Sequence, residues 1–162
     1  MIKYSDNQAM ALLYDNLPIT EQVDVYSQLG VDPSVITDPT GTLTVSQYAI
    51  FFRILFNASF LSQADSGKAL RLLTQTTFNE GLRSGVPTSV PIAHKFGERN
   101  FDQGVQQLHD CGIVYYPGHP YLLCIMTRGT DIEHLEGAIA DVSKFVYNKI
   151  NTEYGGTSAG QK

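Results

Sequence analysis

The sequence predicts an α+β fold, in which a helical cluster is followed by a three-stranded antiparallel meander and a closing C-terminal helix. Three observations lead to it. Apolar residues recur at helical spacing through the first half of the chain, short apolar runs replace them after the Gly-Val-Pro at 85–87, and helical spacing returns near the end. We expect one domain over residues 1–154, with a helical part at 1–85, the sheet and last helix at 86–154, and a flexible tail at 155–162.

The first two helices are predicted from apolar spacing and from end signals. The first helix carries an apolar stripe formed by Met10, Leu13, Tyr14 and Leu17. Pro18 ends this helix, because proline disfavours helical geometry in the residue before it. Thr20 is the expected N-cap of the second helix, and Glu21 in its first turn suits the helix dipole.

Two further helices are predicted by capping signals. Thr44 with Gln47 has the capping-box pattern, and Ser62 with Asp65 repeats it before the next helical run. The segment 31–44, with two Asp-Pro pairs and a Thr-Gly pair, is predicted to be a loop.

Three apolar runs, "SVPIAHKF", "DCGIVYYP" and "YLLCIMTR", predict the strands of the meander. The turn between the last two lies at 117–120, so Tyr116 is expected to pair with Tyr121. That register places Cys111 and Cys124 diagonally, about 7–8 Å apart, and predicts free, buried thiols. Helical spacing in "DIEHLEGAIADVSKFVYNKI" predicts the closing helix.

Composition excludes several classes of function. The formal charge of −5 includes no basic block, which argues against nucleic acid or an anionic membrane surface as a partner. No apolar stretch is long enough for a membrane span, and this chain shows no leader peptide, although the compartment stays open. The cysteines and histidines have no metal-ligand spacing, so neither a metal nor a cofactor is predicted.

Two short motifs are candidates for chemistry. Ser5-Asp6-Asn7 precedes the first helix, where each residue type can cap free backbone N–H groups. Lys95-x-Gly97 ends the first predicted strand, where a lysine can face a cleft and a glycine lets a substrate lie close to the backbone. Each motif alone fits an ordinary helix cap or hairpin, but their order and setting agree.

Together, the motifs resemble the later part of the domain of penicillin-recognising serine hydrolases, the class A β-lactamases and related D,D-peptidases. "YSDNQAMALLYDNL" resembles the SDN loop and its helix, and "VPIAHKFGE" resembles the KTG strand. "CGIVYYPGHPYLLCIMTRG" resembles the next two strands, and "IEHLEGAIADVSKFVYNKI" the final helix. The resemblance runs from Tyr4 to Tyr154 and implies a truncated β-lactamase/transpeptidase-like fold.

The resemblance also implies a role for each motif residue. Ser5 would relay a proton toward the leaving group, Asn7 would contact the substrate amide, and Asp6 would hold the loop through backbone hydrogen bonds. Lys95 would attract the substrate carboxylate. Gly97 would let the substrate approach, and the backbone N–H of Glu98 would be an oxyanion donor.

Several departures from the family pattern bear on activity. No serine is followed by lysine three positions later, so the family's Ser-x-x-Lys nucleophile is absent from the sequence. Phe96 replaces the hydroxyl residue of KTG, and no glutamate occurs in the loop 31–44, where class A enzymes carry a deacylating base. On the second strand, Cys111 stands where a cation is common in the family, with His109 the nearest candidate.

The resemblance therefore implies that the chain is part of a serine hydrolase acting on β-lactams or D-Ala-D-Ala peptides, and the missing nucleophile implies that it is inactive alone. The alternative is a non-catalytic binding protein that kept the fold. We expect the last strand, Tyr121–Arg128, to be a bare sheet edge that pairs with a complementary N-terminal segment or with a second copy of the chain. The resemblance also implies that the parent protein is exported.

Overall fold

A computed structural model describes residues 1–37 and 41–155 of the chain. It contains two compact units, Met1–Thr77 and Phe78–Lys162. The predicted tail lies outside the described residues except for Gly155. The predicted α+β class is confirmed, because helices precede a three-stranded antiparallel sheet and a C-terminal helix.

The first unit is helical. Its helices are α1 (Asn7–Asn16), α2 (Ile19–Gln28), α3 (Ser34–Thr37), α4 (Val45–Asn57) and α5 (Gln63–Leu73). The Thr44 capping box of α4 and the Ser62 cap of α5 form as predicted. Thr20 is not a cap: α2 begins at Ile19, and Pro18, which has no N–H group to satisfy, occupies the N-cap position.

The core of the first unit is small. Val31, Phe52 and Leu73 are its buried apolar side chains among the described residues, and Tyr48 meets the Phe52 ring edge-on. The predicted apolar stripe of α1 does not reach a core, because its four side chains are 41–48% exposed. Spacing alone predicted the helix but not its burial, since burial requires a partner surface.

The second unit holds the sheet. It contains β1 (Ile92–Asn100), β2 (Gln106–Val114), β3 (Tyr121–Gly129) and α6 (Ile132–Tyr154), preceded by a 3-10 segment at Leu82–Gly85. The strands lie in the order β1-β2-β3, and both pairs are antiparallel, which is the predicted meander. No described helix combines the length and apolar character needed to cross a membrane.

The register between β2 and β3 differs from the prediction. Val114, not Tyr116, is opposite Tyr121, so the connection between the two strands spans residues 115–120 and is longer than the predicted turn at 117–120. Cys111 therefore lies directly opposite Cys124, with 4.0 Å between their Cα atoms, and the two form a disulfide. The expectation of free thiols was wrong because it depended on the wrong register.

Helix α6 covers one face of the sheet, which we call the α6 face. Leu82, Leu108, Leu135 and Ile139 form its buried centre. The helix also contacts the 3-10 segment closely, since a Cβ at Gly85 would lie 2.5 Å from the Ala140 carbonyl oxygen. Close to that glycine, the Ser143 hydroxyl donates to the Leu82 carbonyl over 2.9 Å. These contacts fix both α6 and the 3-10 segment against the sheet.

The disulfide gives a stability prediction. Removing it with the double variant Cys111→Ser/Cys124→Ser should lower the free energy of unfolding by about 3 kcal/mol, because the unfolded chain regains the freedom of a short closed loop. Urea unfolding of the oxidised wild type and the variant measures the change. Wild type in excess reductant is the matched control and should lose a similar amount; equal stability of all three samples would contradict the prediction.

Candidate active site

The Ser5-Asp6-Asn7 motif forms the turn that leads into α1. The Asp6 carboxylate accepts the backbone N–H groups of Gln8 and Ala9 over 2.9 and 3.1 Å, so it is the N-cap of the helix. The same two bonds, that of Ala9 first, lower the pKa of Asp6 below its ordinary value of 3.8. Asp6 thus caps α1, and its role in holding the loop of a substrate cleft stays a prediction.

Ser5 has an unusual backbone conformation. Its φ is 52°, in the left-handed region that residues other than glycine rarely adopt. Asn7 follows as the first residue of α1 and is exposed. The catalytic role of Ser5 and the substrate-binding role of Asn7 stay predictions.

Lys95, the first of the motif residues on β1, contacts the residue that follows it. Lys95 is half-buried, and its ammonium donates to the Phe96 carbonyl over 2.6 Å. The same ammonium lies 4.4 Å from the centre of the Phe96 ring. Burial lowers the pKa of Lys95 below 10.5, and the negative charge of Asp110 opposes that shift. Lys95 therefore stands in an environment formed largely by its own strand and β2.

Gly97 faces a histidine across the sheet. It pairs with His109 of β2, and the imidazole occupies the space that a Cβ at residue 97 would need. Burial lowers the pKa of His109 below 6.5, with Asp110 raising it and Lys95 lowering it further. Cys111 lies opposite Lys95 instead, so His109 is the cation-capable side chain opposite the glycine.

Glu98 lies opposite Leu108, and its side chain is exposed. The predicted use of its backbone N–H as an oxyanion donor stays a prediction. Lys95, Gly97 and Glu98 thus lie together on β1 in the second unit, whereas Ser5, Asp6 and Asn7 lie in the first.

A buried His94–Asp110 pair lies on the α6 face of the same strands. Nδ1 of His94 is 2.9 Å from Oδ1 of Asp110, and the other carboxylate oxygen accepts the Leu82 N–H over 2.9 Å. The side chains are only 3% and 0% exposed. Alternation along a strand is the signal in the sequence that could have placed His94 and Lys95 on opposite faces, but identifying Asp110 as the partner of His94 requires the β1–β2 register.

The described residues contain no group of three or more His, Cys, Asp or Glu side chains arranged to hold a metal ion. The polar groups on and under β1 are instead a lysine, two histidines and one carboxylate, namely Lys95, His94, His109 and Asp110. Within this set, Lys95 is the cation that can attract an anion to the strand edge, whereas His94 and Asp110 are buried on the α6 face.

The family comparison matches almost the whole chain. A family model described as "Beta-lactamase enzyme family" matches residues 1–150. A search of curated proteins finds no match.

Solved structures give the same fold. A β-lactamase from Sphaerobacter thermophilus DSM 20745 is 22% identical with a TM-score of 0.68, over 86% of this chain and 56% of that one. PBP-A is 21% identical with a TM-score of 0.63, over 80% and 50%. An ancestral class A β-lactamase of Gram-negative bacteria is 24% identical with a TM-score of 0.57, over 69% and 43%. This chain therefore spans about half the length of these structures.

The lowered pKa of His109 predicts a pH dependence of stability. As the pH falls through 6.5, the unfolded chain takes up a proton that the folded chain resists, so the free energy of unfolding should decrease. His109→Gln should flatten this decrease in urea unfolding from about pH 8 to about pH 5. His134→Gln on α6, where the side chain is 88% exposed, is the control variant. Equal slopes in wild type and His109→Gln would contradict the prediction.

Proposed function

Since the chain belongs to the β-lactamase enzyme family, we propose that it is part of a serine hydrolase that transfers the acyl group of a β-lactam or a D-Ala-D-Ala peptide to a serine. The observation that carries the proposal is the family match over residues 1–150, which includes both Ser5-Asp6-Asn7 and Lys95-x-Gly97 in the family order. A PBP-A mutant has been solved as an acyl-enzyme complex with penicillin G, which supports a β-lactam as the test substrate.

In this proposal, each motif residue has one task. Ser5 passes a proton toward the leaving group, and Asn7 contacts the substrate amide from the start of α1. Lys95 supplies positive charge for the substrate carboxylate, and the Glu98 N–H binds the oxyanion beside Gly97. Asp6 holds the loop, in keeping with its two bonds to backbone N–H groups.

The nucleophile belongs to another segment in this proposal. The sequence contains no Ser-x-x-Lys, so residues 1–162 alone do not supply the family's serine and its lysine. The same reasoning makes the chain inactive by itself, with activity requiring a segment that carries the missing motif.

The second unit offers an edge for that segment. β3 is the last strand of the sheet, so one side of it has no strand partner among the described residues. The hydroxyl of Tyr121 at its start is buried with no hydrogen-bond partner, and burial raises the pKa of Tyr121 to about 12. We propose that Tyr121–Arg128 pairs with an N-terminal strand of the complementary segment or with a second copy of this chain.

The first unit, considered by itself, offers an apolar surface. A cleft of about 280 Å³ lies between α1 and α2, with apolar walls that include Leu13, Leu17 and Val25. Oε1 of Gln22 is buried at this cleft without a hydrogen-bond partner. An exposed apolar cleft with an unsatisfied acceptor suits an apolar helix that brings one donor.

The second candidate is a non-catalytic binding protein with the same fold. The observation that favours it is Phe96, which removes the hydroxyl next to Lys95, together with the missing Ser-x-x-Lys. The coding sequence upstream of Met1 distinguishes the two candidates. A Ser-x-x-Lys helix encoded there supports the hydrolase, and its absence supports the binding protein.

Fluorescent penicillin tests the hydrolase directly. The chain alone should not be labelled covalently, and the chain with a Ser-x-x-Lys segment encoded upstream of it should be. In the complete protein, Lys95→Ala should slow labelling on the order of a hundredfold, because substrate charge loses its partner. The exposed Lys149→Ala is the control. Stoichiometric labelling of the chain alone would refute the missing nucleophile.

Hydrogen exchange tests whether the free side of β3 pairs with another strand. In the isolated monomer we expect fast exchange at the β3 amides that point away from β2, and slow exchange at these amides once a dimer or the complementary segment forms. Peptides from β2, which is paired on both sides, serve as the internal control. A monodisperse monomer in which the outward-pointing β3 amides are already protected would overturn the role of this edge.

A further inference from the structure

We propose that the ring and the backbone carbonyl of Phe96 position the ammonium of Lys95, so that Phe96 has a role in placing this charge beyond the loss of a hydroxyl. The value of this arrangement for substrate binding rests on the proposed function. Its geometry does not, because every contact lies within the second unit.

The first support is the contact between the ammonium and the ring. Lys95 Nζ lies 4.4 Å from the centre of the Phe96 ring, within the range of a cation–π contact. The ammonium also donates to the Phe96 carbonyl over 2.6 Å, so one residue binds it through both its ring and its backbone. A lysine on a strand edge has many rotamers, and two contacts to the next residue select among them.

The second support is that the ring itself is held. Phe96 stacks on Phe78 with 4.1 Å between ring centres and 18° between planes. Both rings pack against the buried cluster under α6, centred on Leu82 and Leu108. A fixed ring presents a fixed negative face, which a freely rotating side chain does not.

A buried charge lies next to the Phe96 ring and accompanies the two contacts. Asp110 lies directly opposite Phe96 on β2, on the same face of the sheet. His94 and the Leu82 N–H hold its carboxylate in place, and the side chain is 0% exposed. Its negative charge raises the pKa of Lys95 against the lowering caused by burial. Asp110 thus favours the charged lysine from a site that solvent does not reach.

Other titratable groups flank Lys95 on these strands, and their effects need separating. His94 and Glu98 lie on β1, and His109 lies on β2 next to Asp110. Lys95 lowers the pKa of His109, while Asp110 raises it. Removing the Asp110 charge should therefore lower the pKa of both Lys95 and His109, which distinguishes Asp110 from a residue that acts only through packing.

One consequence concerns specificity. A hydroxyl at residue 96 would offer a substrate carboxylate a second donor beside the lysine. Phe96 offers none, and its ring and carbonyl compete with the substrate for the ammonium. This strand therefore attracts an anion by charge, and it does not require a carboxylate whose two oxygens accept hydrogen bonds in a fixed geometry.

NMR on the whole chain tests the ring contact without any substrate. With ¹³C-labelled lysine and Lys95→Arg for assignment, the Lys95 ε-CH₂ protons should be shifted upfield by the Phe96 ring current. Phe96→Leu should abolish this shift, and Phe96→Tyr, which keeps the ring, should retain it. Phe145→Leu is the matched control, because Phe145 is 71% exposed on α6.

The same labelled samples test the charge. Asp110→Asn should lower the pKa of Lys95 and of His109, while Asp102→Asn, outside β1 and β2, should leave both unchanged. If Asp110→Asn does not fold, the Phe96 series decides the question by itself. Lys95 protons at the shift of a solvated lysine in the wild type, or unmoved by Phe96→Leu, would overturn the proposal. Penicillin labelling plays no part, so this result is separate from the fate of the proposed function.

Discussion

The second unit depends on one buried carboxylate. Asp110 joins β1 through His94 and the 3-10 segment through the Leu82 N–H, at a point where its side chain is 0% exposed. A carboxylate without such partners would be expensive to bury, so the strands and the segment have to meet in one arrangement. Gly81 belongs to the same arrangement, because a Cβ there would lie 2.6 Å from an Asp110 oxygen.

The position of the Lys95-x-Gly97 motif depends on the contacts of the Asp110 carboxylate. Because Asp110 fixes the register of β1 on β2, the residue after it, Cys111, faces Lys95, and the residue before it, His109, faces Gly97. A slip of one residue would turn every side chain of β1 to the other face and separate the lysine from its environment. The buried polar pair and the candidate binding edge are thus two sides of the same strand pairing.

Local signals predicted most of the fold. The Thr44 capping box, the Ser62 cap and the period of α6 depend on residues a few positions apart, and the sequence displays them directly. Contacts between residues far apart in the sequence were harder to predict. The β2–β3 register depended on where β2 ends, at Val114 and not at Tyr116, and the disulfide followed from that register. His94–Asp110 and the contact of Lys95 with Phe96 depend on side-chain positions that no local pattern specifies.

Because of the disulfide, the state of the purified protein depends on the redox conditions in which it was made. Disulfides form and persist in oxidising surroundings, whereas thioredoxin and glutathione keep cytosolic thiols reduced. In chain made in a reducing cytoplasm, hydrogen bonds to β2 and packing under α6 would hold β3; chain made in an oxidising compartment would add a covalent link from Cys124 to Cys111. Two preparations of one sequence would then present sheet edges of different stiffness to any incoming strand.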